Sequence, residues 1–319
     1  MSAVAPRPKI VKRAVHGVLM LDKPLGLTSN DALQKVKRLF RAEKAGHTGT
    51  LDPLATGLLP LTFGAATKFS QVSLEADKGY RATLRLGITT TTGDGEGEIL
   101  EQRDAVAKSL DVATIRAACA EFKGAISQLP PMFSALKHQG RALYELAREG
   151  VTVERQPRNV TIHVLDIVQW QADELLLIID VRCSKGTYIR TLAEDIGAKL
   201  GCGAHLAGLR RTSSGPVVIE QAVTLEQLEA MDDEARLALL KAPDSLLGEW
   251  PEVELSNDEA GRFLSGMRRR VAVADMAQVR VYGQLPRAFL GSAHVAGGEL
   301  IADRLLSPTE IATMLMQAA

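Results

Sequence analysis

The sequence predicts an α+β fold: a large, mostly antiparallel mixed sheet flanked by helices, followed by a small β-rich C-terminal domain. Three observations predict it. Stretches of strand length with alternating or continuous apolar character recur along the chain, and segments of helical period sit between them without a strict βαβ alternation. Neither a G-x-G-x-x-G turn nor a Walker loop opens any helix, so a doubly wound nucleotide fold is excluded. Beyond residue 249 the pattern changes to short strand-like pieces bounded by Gly or Pro.

The elements run in chain order. His16 to Leu21 reads as a strand. Ala32, Leu33, Val36, Leu39 and Phe40 have helical spacing behind the capping candidates Ser29 and Asn30. Pro53 to Thr67 carries no charge, and its two prolines, two glycines and three threonines predict a loop-rich segment. From Tyr80 to Gly87, Tyr80, Ala82, Leu84 and Leu86 share one face and Arg81, Thr83 and Arg85 the other, the pattern of a half-buried strand. Ile115, Cys119 and Phe122 mark a helix. Val160 to Ile167 and Leu175 to Cys183 read as strands, the second aliphatic enough for burial on both faces. Leu192, Ile196 and Leu200 mark another helix. The acidic segment 225–249 reads as helix and linker, with a domain boundary near 249. The organisation is therefore a larger domain ending at about 249, with 132–158 as a basic excursion within it, and 250–319 for the smaller. In the latter we expect a helix at Asn257 to Leu264 and strands at Arg270 to Val273, Val279 to Tyr282 and Arg287 to Leu290.

Composition narrows the chemistry. The 319 residues are 46% apolar and 24% charged, which excludes disordered and fibrous classes. No stretch approaches the roughly 20 apolar residues of a membrane helix. The basic start (Arg7, Lys9, Lys12, Arg13) precedes an apolar run, Val18 to Leu21, far shorter than a signal-peptide core, so a cytoplasmic location is expected. Cys119, Cys183 and Cys202 are odd in number and lack C-x-x-C spacing, and the six histidines form no H-x-x-x-H pair, so neither disulfides nor a metal is encoded. The 38 basic and 38 acidic residues are segregated: residues 1–224 hold 29 basic against 23 acidic, while 225–249 are net −5. The cluster Lys35, Lys37, Arg38, Arg41 and Lys44 suits phosphate contacts or a solvated helix face, and charge alone favours the latter.

Two segments combine residues that carry chemistry. Gly46 to Gly57 places His47 and Asp52 among Gly, Thr and Pro, and Pro53 biases Asp52 toward an extended shape that could hold a carboxylate up to a substrate. Asp followed by Pro is also a helix N-cap with proline at the first helical position, and spacing alone favours the cap. Ser184 to Leu192 joins a strand to a helix and puts Arg190 in the first turn, where a cation gains nothing from the helix dipole and so serves a carboxylate or phosphate partner. An Asp52–Arg190 pair would keep the carboxylate ionised and oriented. Tyr80 reads as core or as a platform for a flat base.

Taken together, Gly17 to Pro24, the Gly46 to Gly57 loop, Lys78-Gly79-Tyr80-Arg81, Ser184 to Thr191 and Leu206 to Arg211 closely resemble the bacterial tRNA pseudouridine-55 synthase family, TruB, in order over residues 14–249. The resemblance implies a pseudouridine synthase fold with a PUA-like RNA-binding appendage, where the likeness is looser. It implies Asp52 as the catalytic aspartate, Tyr80 stacked on the target uracil, Arg190 paired with the aspartate, and His47, Tyr188 and Leu209 lining the nucleotide pocket. It also implies that 132–158 closes over RNA, which makes Lys137, Arg141 and Arg148 candidates for backbone contacts. One departure stands out: Thr89-Thr90-Thr91-Thr92-Gly93-Asp94 replaces a stretch where relatives often carry Arg-Thr-Asp-Thr, and Thr91 is assigned no role.

The implied reaction is isomerisation of a T-loop uridine in tRNA after the base is extruded from its stack. It needs neither cofactor nor metal, and the expected partner is the tRNA T-arm, with no membrane and no obligate protein partner, the enzyme acting as a monomer. Asp52 could attack C1′ or remove a ribose proton. A noncatalytic RNA-binding or chaperone protein on the same scaffold is the alternative, and a base-removing glycosylase a second.

Overall fold

The computed structural model describes residues 11–248 and 250–318. Arg7, Lys9 and Ala319 lie outside the described residues, as does Glu249, where the domain boundary was expected. The chain divides into two compact units that do not follow chain order. The first comprises the described residues of Met1–Thr50, Leu59–Leu74 and Gly215–Ala319, and the second Leu51–Leu58 with Glu75–Ser214.

In the second unit the strand order is Ala55–Phe63 (its first four residues), Ala204–Ser214, Lys78–Leu86, Leu176–Cys183, Arg158–Gln171 and Gly124–Gln128. All these pairs are antiparallel except the first, in which Leu209, Arg210 and Arg211 run parallel to Ala55, Thr56 and Gly57. In the first unit Gly17–Lys23 pairs in parallel with Val223–Thr224, and Ala45–His47 pairs antiparallel with the later half of Ala55–Phe63. These strands belong to a ten-stranded mixed sheet. It is the large, mostly antiparallel sheet that the sequence predicts.

Several elements differ in detail from expectation. The uncharged stretch after Pro53 is not a loop: Ala55–Phe63 is a strand with eight of nine residues buried, followed by a 3-10 turn at Gly64–Phe69. Its charge-free composition reflects burial. The Leu176–Cys183 strand is buried on one face only, Leu177, Ile179, Val181 and Cys183 pointing inward while Arg182 is exposed, because an antiparallel sheet covers one side. The helix Ser29–Leu39 is capped by Thr28, not by Ser29 or Asn30. Thr28 is extended at φ −68 and ψ 159, and its hydroxyl accepts from the Asp31 N–H at 3.0 Å.

The C-terminal part of the first unit has a five-stranded sheet ordered Glu252–Leu255, Met276–Gln284, Arg287–Ala296, Glu299–Leu305 and Arg269–Arg270. Its own core is built from Val253, Leu255, Phe263, Val279, Val281, Leu290, Val295 and Leu300. The helix Asn257–Leu264 falls where its spacing predicts, behind a capping box of Ser256 and Glu259. The strands Glu252–Leu255 and Glu299–Leu305 and the helix Pro308–Ala318 escaped the sequence reading, the first two being too short or too charged to show a clean period. Within the unit this sheet is tied to Leu59–Leu74 by Lys68, whose Nζ donates to Leu305 O at 2.9 Å and Glu310 at 2.6 Å, and by the Phe69–Phe289 ring pair at 5.2 Å.

The helix Ile189–Lys199 packs on the Ala204–Ser214 strand through Gly197. A Cβ there would stand 2.2 Å from Ala204 N and 2.4 Å from Gly203 C. Helix propensity alone makes Gly→Ala favourable by about 1 kcal/mol. The overlap with backbone reverses that sign, so Gly197→Ala is expected to lower stability by about 1–3 kcal/mol in denaturant unfolding. A gain in stability would show that the helix does not rest on that turn.

Candidate active site

Asp52 stands at the turn that starts the Ala55–Phe63 strand, where Ala55 N donates to Asp52 O at 3.0 Å. No helix continues from Pro53, so the cap that spacing favours is not what this Asp-Pro builds. The carboxylate instead reaches sideways, and Asp52 Oδ2 lies 3.0 Å from Arg190 Nη2. The paired strand places Leu209 opposite both Ala55 and Ala82. Tyr80, two residues from Ala82, faces Arg211 on one neighbouring strand and Val181 on the other.

Arg190 is reached by a turn from the end of the Leu176–Cys183 strand. Gly186 takes φ +77, a conformation that favours glycine, and Thr187 Oγ1 donates to Ser184 O at 2.9 Å. Tyr188 forms the N-cap of Ile189–Lys199, and Gln128 clamps its backbone, accepting from Tyr188 N at 3.0 Å and donating to Tyr188 O at 3.3 Å. The next turn delivers the Arg190 guanidinium into the interior with its side chain 7% exposed. Four acceptors meet it: Asp52, Phe133 O at 2.5 Å, Thr92 O at 3.2 Å and Asp94 Oδ2 at 3.6 Å. The guanidinium is thus divided between two carboxylates. The Asp52–Arg190 pair expected from the sequence is present, with Asp94 as a second carboxylate beside it.

Asp94 is the site residue that sequence reasoning missed. Its side chain is as buried as that of Arg190. Thr92 Oγ1 donates to Asp94 Oδ1 at 2.6 Å, Glu96 N donates to the same oxygen at 3.1 Å, and Thr90 Oγ1 donates to Asp94 O at 2.7 Å. The Thr89–Thr92 run therefore folds the loop that presents this carboxylate, while Thr91 Oγ1 receives Glu98 N at 3.1 Å. The signal was a Gly93-Asp94-Gly95 triplet beside hydroxyl side chains, a turn in which only one residue can carry charge.

Burial dominates the electrostatics around Tyr80. It pushes the Tyr80 phenol above its usual value, and the positive charge of the nearby Arg211 guanidinium pulls it back. Burial likewise raises Tyr188. Burial raises the Glu194 carboxyl too, with Asp195 next. Lys78, on the strand of Tyr80, is lowered from 10.5 to about 8, first by burial and then by Arg211.

Asp52, Tyr80, Tyr188, Arg190 and Leu209 all fall in the second unit, and His47 belongs to the first, on a strand opposite Leu61. Of the backbone candidates, Lys137 is exposed, Arg141 is paired with Glu149 at 2.5 Å, and Arg148 lies over the Tyr144 ring at 5.5 Å. Among the described residues no cluster of His, Cys, Asp and Glu could hold a metal ion, and no helix is long and apolar enough to cross a membrane.

Three family profiles cover most of the chain: TruB family pseudouridylate synthase (N terminal domain) matches residues 37–189, tRNA pseudouridylate synthase B C-terminal domain 190–247, and Pseudouridine synthase II TruB, C-terminal, 251–306. A tRNA pseudouridine synthase B of Verminephrobacter eiseniae is 56% identical over 98% of this chain and 95% of its own. One of Burkholderia mallei is 54% identical over 96% and 99%. Among solved structures, a Cbf5-Nop10-Gar1 complex aligns at TM-score 0.70 and 24% identity, covering 96% of this chain and 89% of that one, which shows a shared fold.

The depressed Lys78 carries its own test. Below about pH 8 both folded and unfolded chains hold the Lys78 proton; between about 8 and 10.5 the unfolded chain binds more, so folding gains stability as pH rises through that window. Relative to Lys78→Met, the native protein is expected to gain in denaturant midpoint between about pH 7.5 and about pH 10, values that bracket most of the window. In ε-carbon-labelled protein the Lys78 resonance should titrate at about 8. A midpoint at the usual lysine value would show that the amine is solvated.

Proposed function

The chain belongs to the TruB family of pseudouridylate synthases and isomerises uridine in tRNA to pseudouridine, and we propose that it does so at position 55 of the T-loop through Asp52, with Arg190 and Tyr80 as its partners. The observation that carries the site is the contrast at the ion pair. Arg190 is buried, whereas the Asp52 side chain keeps 48% of its surface exposed and is the one charged atom group of the pair that a substrate could meet.

The chemistry asks for what these groups offer. The N1–C1′ bond breaks, the base turns, and C1′ rejoins at C5, which surrenders a proton as N1 gains one. Reactant and product have the same atoms and oxidation level, so the isomerisation calls for no oxidant, reductant or donated group. Asp52 acts on the ribose, either at C1′ as nucleophile or at an adjacent C–H as base. Arg190 beside it fixes the carboxylate in place for either role. The target base must leave its stack, at a cost of a few kcal/mol that stacking on Tyr80 and pocket hydrogen bonds offset. In this reading Tyr188 and Leu209 line the pocket and His47 fills the space the base vacates. The domain limits 14–249 and 250–319, with the second serving RNA binding, belong to the same proposal, as do a monomeric state and a cytoplasmic location.

Asp52→Asn keeps the shape and removes the charge. It is expected to lower pseudouridine formation on an unmodified tRNA transcript by at least about 10⁴-fold while tRNA affinity changes by less than about threefold. Residual turnover within tenfold of native would sink the assignment and favour the noncatalytic RNA-binding alternative. Arg190→Lys should be nearly as damaging, because a point charge cannot serve two carboxylates and two carbonyls at once.

We further propose that residues 132–158 close over the bound RNA. The Arg141–Ala142 turn with Lys137–His138 is short, Gly140 and Gly150 bracket the helix Leu143–Arg148 at φ +87 and +75, and Leu143 and Leu146 are its buried anchors. Hydrogen exchange across 137–150 should slow when tRNA binds. Equal strong protection with and without tRNA would mark a permanently docked hairpin.

A further inference from the structure

Arg211 is buried to 3% exposure beside the candidate site and has no role in the chemistry above. It faces Tyr80 across the antiparallel ladder and Gly57 across the parallel one. A Cβ at Gly57 would stand 2.3 Å from Arg211 O and 2.8 Å from Arg211 N, so that side of the strand is closed by backbone. Arg211 Nη1 donates to Leu58 O at 3.4 Å, and the guanidinium carbon lies 5.6 Å from the centroid of the Tyr80 ring. One cationic fork thus bridges the strand that follows Asp52 and the strand that carries Tyr80.

A guanidinium has donors only. The phenol O–H therefore cannot be spent on Arg211 and must point elsewhere. The cation also sits within range of the ring for a favourable electrostatic contact, which resists swinging of the side chain. We propose that Arg211 is a positioning residue for the isomerisation, holding the Tyr80 ring in its stacking place and committing the phenol O–H to the side on which the target base arrives. The inference rests on the reading of Tyr80 as the base platform and adds the group that aims it.

The groups facing the Tyr80 phenol are Arg211 from Ala204–Ser214, Cys183 from Leu176–Cys183 and Asp52 from the preceding turn, with Lys78 facing Arg211 from the Tyr80 strand itself. Burial, Cys183 and Asp52 all raise the phenol; Arg211 alone lowers it. Removing Arg211 leaves only the upward influences.

The test uses full-length protein with tyrosine labelled at Cζ. Of the four tyrosines, Tyr80 is identified as the signal missing from Tyr80→Phe. In Arg211→Gln the Tyr80 signal should shift at neutral pH and titrate higher than in the native chain. The single-turnover rate on tRNA should fall at least about tenfold with Kd within about threefold. An unchanged Tyr80 signal in the folded variant overturns the proposal, as does a rate loss matched by weaker tRNA binding. If Arg211→Gln does not fold, Tyr80→Phe decides: removing only the oxygen should move a guanidinium signal of arginine-labelled protein, and an unchanged arginine spectrum refutes the contact. The spectra are taken without RNA, so they judge Arg211 even if pseudouridine mapping were to overturn the proposed reaction.

Discussion

The structure of the site depends on one buried cation. A guanidinium taken out of water costs several kcal/mol unless every donor direction finds an acceptor, and removing one partner from a buried pair destabilises more than the pair itself contributes. Arg190 is compensated by hydrogen bonds to the Thr92 and Phe133 carbonyls and by ion pairs with the Asp52 and Asp94 carboxylates. The groups that meet come from different stretches of chain: the turn before Ala55, the loop after Thr90, the segment around Phe133 and the helix of Arg190 itself. The cation is therefore the point at which four segments of the second unit agree on a geometry. The elements behind them, such as the Gln128 clamp on Tyr188 and the Gly197 contact with the Gly203–Ala204 turn, fix where that helix begins and how it lies.

Much of the fold was legible because burial writes itself as period. The alternation from Tyr80 to Leu86 and the helical spacing of Leu192 and Ile196 fall where the strand and the helix are found, since each element covers one face. The reading failed where the sequence signal belongs to more than one environment. Ala55–Phe63 has the glycines, prolines and threonines of a loop, yet it is a buried strand whose Gly57 must lie against the Arg211 backbone. A small residue demanded by a close approach is indistinguishable, in one sequence, from one demanded by a turn. Two strands of the C-terminal sheet were hidden differently: Glu252–Leu255 holds too few periods to register, and charged residues mask the alternation of Glu299–Leu305.

The candidate site was legible in part for a different reason. Asp52, Arg190 and Tyr80 stand in motifs long enough to be specific, whereas local spacing alone pointed to a helix cap at Asp52-Pro53. The cap and the site demand the same extended Asp before a proline, and the element after the proline decides between them. A helix would have turned the carboxylate back onto its own N–H groups, while a strand leaves it uncommitted and facing Arg190. Asp94 escaped because nothing near it in sequence announces a partner so far along the chain. Its neighbours Thr90 and Thr92 announce a turn, and the turn is what they build.

Division of labour between exposed and buried charge arises from the same constraint. With both carboxylates ionised, Asp52, Arg190 and Asp94 together carry one net negative charge, and burial decides where it can act. Asp94 is enclosed and its oxygens are occupied by Thr92, Glu96 and Arg190, so it is committed to structure. Asp52 commits one oxygen to Arg190 and keeps about half its surface exposed. The second carboxylate therefore does for the cation what would otherwise have to be done by the first. Were Arg190 satisfied by Asp52 alone, the fork would draw both oxygens inward and leave none for a ribose. Sharing the cation between an enclosed acid and an exposed one is what allows a fixed ion pair and an available nucleophile or base to be the same side chain.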